Sequence, residues 1–137
     1  VGTNALSDGE LLLGLKIKKP GSNNRDAYLR FIPRTEMDIA VAGCGVSIKM
    51  DGNQCAEARV AIGAVAPTAL LVPEAAVALV GTELDEAALA AAGEACTNAS
   101  SPISDKRGTA EYRKKVVAVL CRRATAIAAG RAAKGGN

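Results

Sequence analysis

Residues 40–50 read Ala-Val-Ala-Gly-Cys-Gly-Val-Ser-Ile-Lys-Met, Asp51-Gly52 follow, and residues 54–64 read Gln-Cys-Ala-Glu-Ala-Arg-Val-Ala-Ile-Gly-Ala. The first run puts Ala42, Cys44, Val46, Ile48 and Met50 on one side and Gly43, Gly45, Ser47 and Lys49 on the other. The second sends Ala56, Ala58, Val60 and Ile62 one way and Glu57 and Arg59 the other. Alternation at a period of two is the pattern of a half-buried strand. Asp-Gly supplies the positive φ that a tight hairpin needs. Together they predict an antiparallel pair with one face in the core and one in water.

Upstream, residues 10–18 also alternate, with Leu11, Leu13, Leu15 and Ile17 on one side, and a further strand is expected there. Residues 20–24, Pro-Gly-Ser-Asn-Asn, read as an exposed loop. Residues 28–39 pack Arg30, Arg34, Glu36 and Asp38 around Pro33 and are expected to be a charged loop leading into the buried strand. Downstream the period changes. Pro73 and Glu74 suit the first turn of a short helix that Gly81 ends. Residues 85–98 predict a second, alanine-rich helix. A third, opened by Ser104 or Thr109, is expected to run to about Ala129 with Tyr112, Val116, Val119, Leu120 and Ile127 as its apolar stripe. Residues 134–137 read as a frayed tail. Strands followed by helices, without βαβ alternation, predict an α+β two-layer sandwich: an antiparallel sheet with about three helices packed on one face.

Composition removes several functions. No histidine is present, which excludes imidazole ligands and His-based triads. One Phe, two Tyr and no Trp leave too few stacking faces for a single-stranded nucleic-acid platform. The basic set Lys106, Arg107, Arg113, Lys114, Lys115, Arg122, Arg123 and Arg131 falls mostly opposite the expected apolar stripe and reads as a solvated helix face, so no nucleic-acid partner is expected. Cys44, Cys55, Cys96 and Cys121 lie far apart, without the paired spacing of zinc or iron–sulfur sites, and are expected to be buried free thiols; no metal site is expected. No uncharged run reaches the ~20 residues of a membrane span, and no stretch has the pattern of a signal peptide. No membrane association and a cytoplasmic location are expected.

Two stretches carry candidate chemistry. In the first, residues 28–39, a charged loop fixed to the start of a buried strand is a usual place for ligand contacts, while Arg34 and Asp38 equally suit an intradomain ion pair. In the second stretch, Gly108 permits close backbone approach at a helix start, flanked by Asp105, Arg107, Glu111, Tyr112 and Arg113. That stretch fits an anion or a neighbouring subunit, or an ordinary helix start with Tyr112 in the core.

Arg34-x-x-x-Asp38-Ile39-Ala40 resembles the R-x-x-x-D-(I/F)-A segment of the flavin-carrying medium subunits of molybdenum hydroxylases, the family that includes aerobic carbon monoxide dehydrogenase and xanthine dehydrogenase. Gly63-Ala64-Val65-Ala66-Pro67, then Glu74 through Leu79 to Gly81, then Asp105-x-Arg107-Gly108-x-Ala110-Glu111-Tyr112-Arg113 agree with the same subunit in order and spacing. The resemblance is to its C-terminal domain and covers nearly the whole chain. It implies the same two-layer architecture, with residues 1–137 as a single domain and the N-terminal FAD domain absent. Gly43-x-Gly45 lies within a strand pattern and opens no helix, so it is not a pyrophosphate loop. It further implies FAD in the parent subunit, with Arg30, Arg34 and Asp38 beside the flavin, and iron–sulfur and molybdenum subunits as partners. Tight flavin binding and catalysis are not expected of this chain in isolation. The alternative is a stand-alone structural or protein-interaction module, homodimeric through a sheet edge or the alanine-rich helix.

Overall fold

The computed structural model describes residues 2–17, 19, 21 and 23–134. Four antiparallel strands, β1 (Asn24–Phe31), β2 (Ala42–Asp51), β3 (Gln54–Gly63) and β4 (Leu70–Leu71), form one sheet in the order β1-β2-β3-β4. Three helices follow, α1 (Pro73–Leu79), α2 (Glu86–Ala99) and α3 (Ala110–Lys134). α3 packs on β1 and β2, α1 on β3, and α2 against both other helices, which gives the expected α+β two-layer sandwich.

The hairpin at the centre follows the sequence pattern. Ala42, Cys44, Val46 and Ile48 are buried toward the helices, and Gly52 turns the chain at φ +58°. The return strand departs from strict alternation. Pairing runs from Gly43↔Gly63 to Lys49↔Glu57 and then slips to Met50↔Cys55, leaving Ala56 as the extra residue of a bulge. Cys55, not Ala56, is therefore the buried residue at that end.

Two expectations about the first half are corrected. The expected strand at 10–18 is absent over 10–17, where Leu11, Leu13, Leu15 and Ile17 are exposed; Lys18 lies outside the described residues, as do Pro20 and Ser22 of the expected loop. The first strand is instead Asn24–Phe31, so Tyr28 and Arg30 belong to the sheet and the charged loop shrinks to 32–41. The reason lies in the partner: β2 is apolar along one side, and only 24–31 reaches it through a short enough connection to pair in full register. Tyr28 lies across the open face, its hydroxyl 2.9 Å from where a Cβ at Gly43 would stand, so Gly43 makes room for the ring.

The helices begin as their capping residues predict. Asp85 accepts from the Ala88 N–H at 2.8 Å, Thr109 from the Tyr112 N–H at 3.1 Å, and Ser104 from the Ala110 N–H at 2.9 Å, so both candidate caps of α3 act. Gly81 takes φ +81° just beyond α1, and its N–H donates to the Cys55 carbonyl. The buried face of α3 differs from the expected stripe. It consists of Arg113, Val117, Leu120, Cys121, Ala124, Thr125 and Ala128, while Tyr112, Val119 and Ile127 are exposed. Small residues face inward because α3 must lie close to both the sheet and α2. At Gly93 of α2, a Cβ would meet the Ala118 carbonyl oxygen at 3.1 Å. No described helix is long and apolar enough to cross a membrane.

Candidate functional site

Loop 32–41 leaves the sheet at Phe31 and returns through Val41, whose N–H donates to the Phe31 carbonyl at 2.8 Å. Inside that closure, Met37 takes φ +48°, a left-handed conformation that side chains other than glycine seldom adopt. The turn presents the Met37 carbonyl to Arg34 Nη2 at 3.2 Å and leaves the Met37 side chain 97% exposed. Arg34 Nε donates to Asp38 Oδ2 at 3.3 Å. Arg34 is thus held at two of its nitrogens, yet its side chain is 71% exposed.

Asp38 is the hub. Its side chain is only 4% exposed, and the carboxylate accepts from the Ile39 N–H at 2.8 Å and from Arg107 Nε at 3.3 Å, in addition to Arg34. Burial raises its pKa, but the Ile39 amide and the Arg107 and Arg34 guanidinium groups outweigh that and hold the carboxyl below its ordinary value. Arg107 carries the network into the loop before α3. Its Nη1 pairs with Asp105 Oδ2 at 3.9 Å, and Asp105 Oδ1 accepts from the Arg107 N–H at 2.8 Å and from Arg113 Nη2 at 2.7 Å. The Arg113 hydrogen bond, then the Arg107 amide, lowers the Asp105 pKa. Arg113 is buried and donates through Nη1 to the Val41 carbonyl at 2.8 Å. The network therefore closes on itself, from Arg34 through Asp38, Arg107, Asp105 and Arg113 back to Val41 at the end of the same loop.

Two turns hold this arrangement. Asp105 and Gly108 exchange backbone hydrogen bonds, and Gly108 leaves space for the Tyr112 ring, which would stand 2.9 Å from a Cβ there. Tyr112 meets Phe31 edge to face at 6.3 Å between centroids. Tyr112 is thus not a core residue but lies exposed against Phe31, and Met37, Ile39 and Ile103, in the segments that carry the charged network, are exposed as well.

Of the sequence-derived site residues, Arg34 and Asp38 meet as the i, i+4 spacing allows. Arg30 stands on the open sheet face opposite Gly43 and forms no ion pair with a described residue. Arg113, which the sequence places among solvated cations, is corrected to a buried anchor. It lies in phase with Val117, Cys121, Ala124 and Ala128, and that run of small residues was the available signal. The partnership of Asp38 with Arg107 spans 69 positions and had no local signal.

A second cluster lies in the core. Cys44 from β2, Cys96 from α2 and Cys121 from α3 are fully buried, with their sulfurs all within 4.8 Å of one another. The sequence spacing gives no sign of this grouping; the fold brings the three thiols together from three separate elements. Hydrogen bonding to Cys121, together with burial, raises the pKa values of Cys44 and Cys96. Cys55 is buried apart from them, with its thiol directed to the Glu57 carbonyl.

An antiparallel sheet backed by three helices, with a charged loop at one end, defines an α+β two-layer domain. Residues 27–128 match the model of the CO dehydrogenase flavoprotein C-terminal domain, and the chain belongs to that family. It is 39% identical over 128 residues to the carbon monoxide dehydrogenase medium chain of Afipia carboxidovorans, covering 93% of this chain and 44% of that protein. It is 26% identical over 137 residues to the xanthine dehydrogenase FAD-binding subunit of Escherichia coli O157:H7, covering 99% of this chain and 46% of that one. The structure of reconstituted CO dehydrogenase from Oligotropha carboxidovorans superimposes with a TM-score of 0.79 at 38% identity, over 82% of this chain and 39% of that chain. Quinoline 2-oxidoreductase from Pseudomonas putida 86 superimposes with a TM-score of 0.75 at 29% identity, over 80% of this chain and 38% of that one. The chain thus spans less than half the length of these relatives.

Proposed function

We propose that this domain forms one wall of the FAD site in a medium subunit of a molybdenum hydroxylase and supplies contacts to the iron–sulfur and molybdenum subunits. The observation that carries the proposal is Arg34. It is an exposed guanidinium fixed by Asp38 and the Met37 carbonyl, in a chain whose relatives include FAD-binding subunits. Nε and Nη2 are engaged within the loop, and the guanidinium as a whole stays exposed to a ligand that would cover the site. Such a donor set fits a flavin, whose ring carbonyls accept hydrogen bonds and whose reduced form is anionic. Arg30 contributes a second cation from the open sheet face. Asp38, buried between two arginines, acts through them as a positioning residue. FAD supplies the electron transfer when bound; these side chains orient it and set the local potential.

The subunit-contact part of the proposal rests on exposed apolar surface. Leu11, Leu12, Leu13, Leu15 and Ile17 form one run, and Met37, Ile39 and Ile103 lie around the charged loop. A self-associating interaction module would use the same surface. Sedimentation of the purified chain separates the two readings, because a stable homodimer of this chain alone favours the module.

The decisive experiment is Arg34→Met in a complete medium subunit carrying this domain. Methionine retains much of the stem's packing and removes a charge that stabilises reduced flavin. The expected result is a more negative flavin potential with FAD content retained. An unchanged potential would overturn the assignment of Arg34.

A further inference from the structure

We propose that Cys44, Cys96 and Cys121 form a three-thiol site for a trivalent thiophilic metalloid of the arsenite class, a site unconnected with the flavin reading. The three sulfurs lie within 4.8 Å of one another and are contributed by β2, α2 and α3. Bonds to sulfur of about 2.3 Å place three sulfurs around one centre roughly 3.4–4.0 Å apart, so small side-chain adjustments suffice.

Charge selects the ligand. All three residues are 0% exposed. Among the described residues, the thiols interact with one another and with Thr125. Three thiolates around a monovalent ion leave two net negative charges in the core, and around a divalent ion they leave one. An uncompensated buried charge is strongly disfavoured. A trivalent centre leaves none. It also needs no fourth ligand, because its lone pair occupies the remaining position, and no fourth carboxylate or thiol joins the cluster among the described residues.

The reaction balances without an oxidant. Arsenous acid exchanges three As–O bonds for three As–S bonds, each thiol proton leaves with a hydroxide as water, and arsenic stays trivalent. Because the site is closed, loading requires α2 or α3 to part from the sheet, or takes place during folding. A loaded centre would tie the sheet to both helices.

The test uses the reduced 137-residue chain, refolded from urea with sodium arsenite and freed of excess reagent. The expected product has the mass of one added arsenic less three hydrogens, an arsenic X-ray absorption spectrum with three sulfur neighbours and no oxygen, and a raised melting temperature. Cys55→Ala should load like the unsubstituted chain, and Cys96→Ala and Cys121→Ala should not. Zinc(II) or copper(I) in parallel refolding should not be retained. Failure to retain arsenic, an oxygen neighbour in the spectrum, undiminished loading of Cys96→Ala and Cys121→Ala, or preferential retention of zinc or copper would each overturn the proposal. If neither alanine variant folds by circular dichroism, the sulfur count in the unsubstituted chain decides.

Discussion

Replacing Arg113 by methionine tests whether one buried guanidinium holds the charged loop onto the long helix. Arg113 Nη1 donates to the Val41 carbonyl at 2.8 Å in a buried setting, and Nη2 donates to Asp105 at 2.7 Å. A buried hydrogen bond from a charged donor contributes about 1.5–3 kcal/mol, and its loss leaves the Val41 carbonyl without that partner. Against this, Arg113 Nε is buried with no hydrogen-bond partner, and removing it relieves a desolvation cost of the order of 1 kcal/mol. Methionine fills most of the stem's volume, so the cavity contribution is small. The bond to Asp105, whose side chain is 30% exposed, adds a smaller, solvent-discounted loss, so the expected net loss is about 1–2 kcal/mol, read as a lower urea midpoint at unchanged m-value. Amide exchange adds a local readout. The Val41 N–H bonded to Phe31 should exchange faster in Arg113→Met, while the Val46–Val60 region of the hairpin stays protected. A change below about 0.5 kcal/mol, typical of a surface substitution, with Val41 protection intact would refute the role of Arg113 as anchor.

Other consequences are open to direct measurement. Asp38 and Asp105 have folded-state pKa values below the ordinary 3.8, so their stabilisation is complete above that value and is lost as pH falls through the lower folded ones. Urea midpoints from neutrality to about pH 2 should fall less steeply in Asp38→Asn/Asp105→Asn than in the unsubstituted chain. The four buried cysteines should react slowly with a thiol reagent in the native state and together after denaturation; rapid native labelling of three would contradict their burial. Gly93→Val should cost about 1–3 kcal/mol by forcing α2 from the Ala118 carbonyl. Gly93→Ala should cost less, because a helix-propensity gain of about 1 kcal/mol offsets the smaller clash.

The central hairpin was legible from sequence because its information is local: alternation over 42–50 and the Asp-Gly turn act between neighbours. Helix starts were legible for the same reason, since Asp85, Ser104 and Thr109 satisfy amides only three to six residues away. The family was legible too, because its motifs are short and lie in order along the chain. Other features depended on what each segment packs against. Residues 10–17 alternate as well as many strands do, yet 24–31 takes the place beside β2, and pattern alone does not choose between two candidate partners. The α3 stripe was misphased because hydrophobicity favoured Tyr112, Val119 and Ile127, whereas the crowded crossing with α2 and the sheet admits alanine and cysteine. Sequence alone groups Arg113 with the solvated cations, because only the fold reveals the Val41 carbonyl that receives it. Asp38 with Arg107, and Cys44 with Cys96 and Cys121, are brought together from 25 to 77 positions apart. Local sequence set the elements and their ends. Their meeting points were fixed only when side chains of particular size and charge competed for the same core and the same loop.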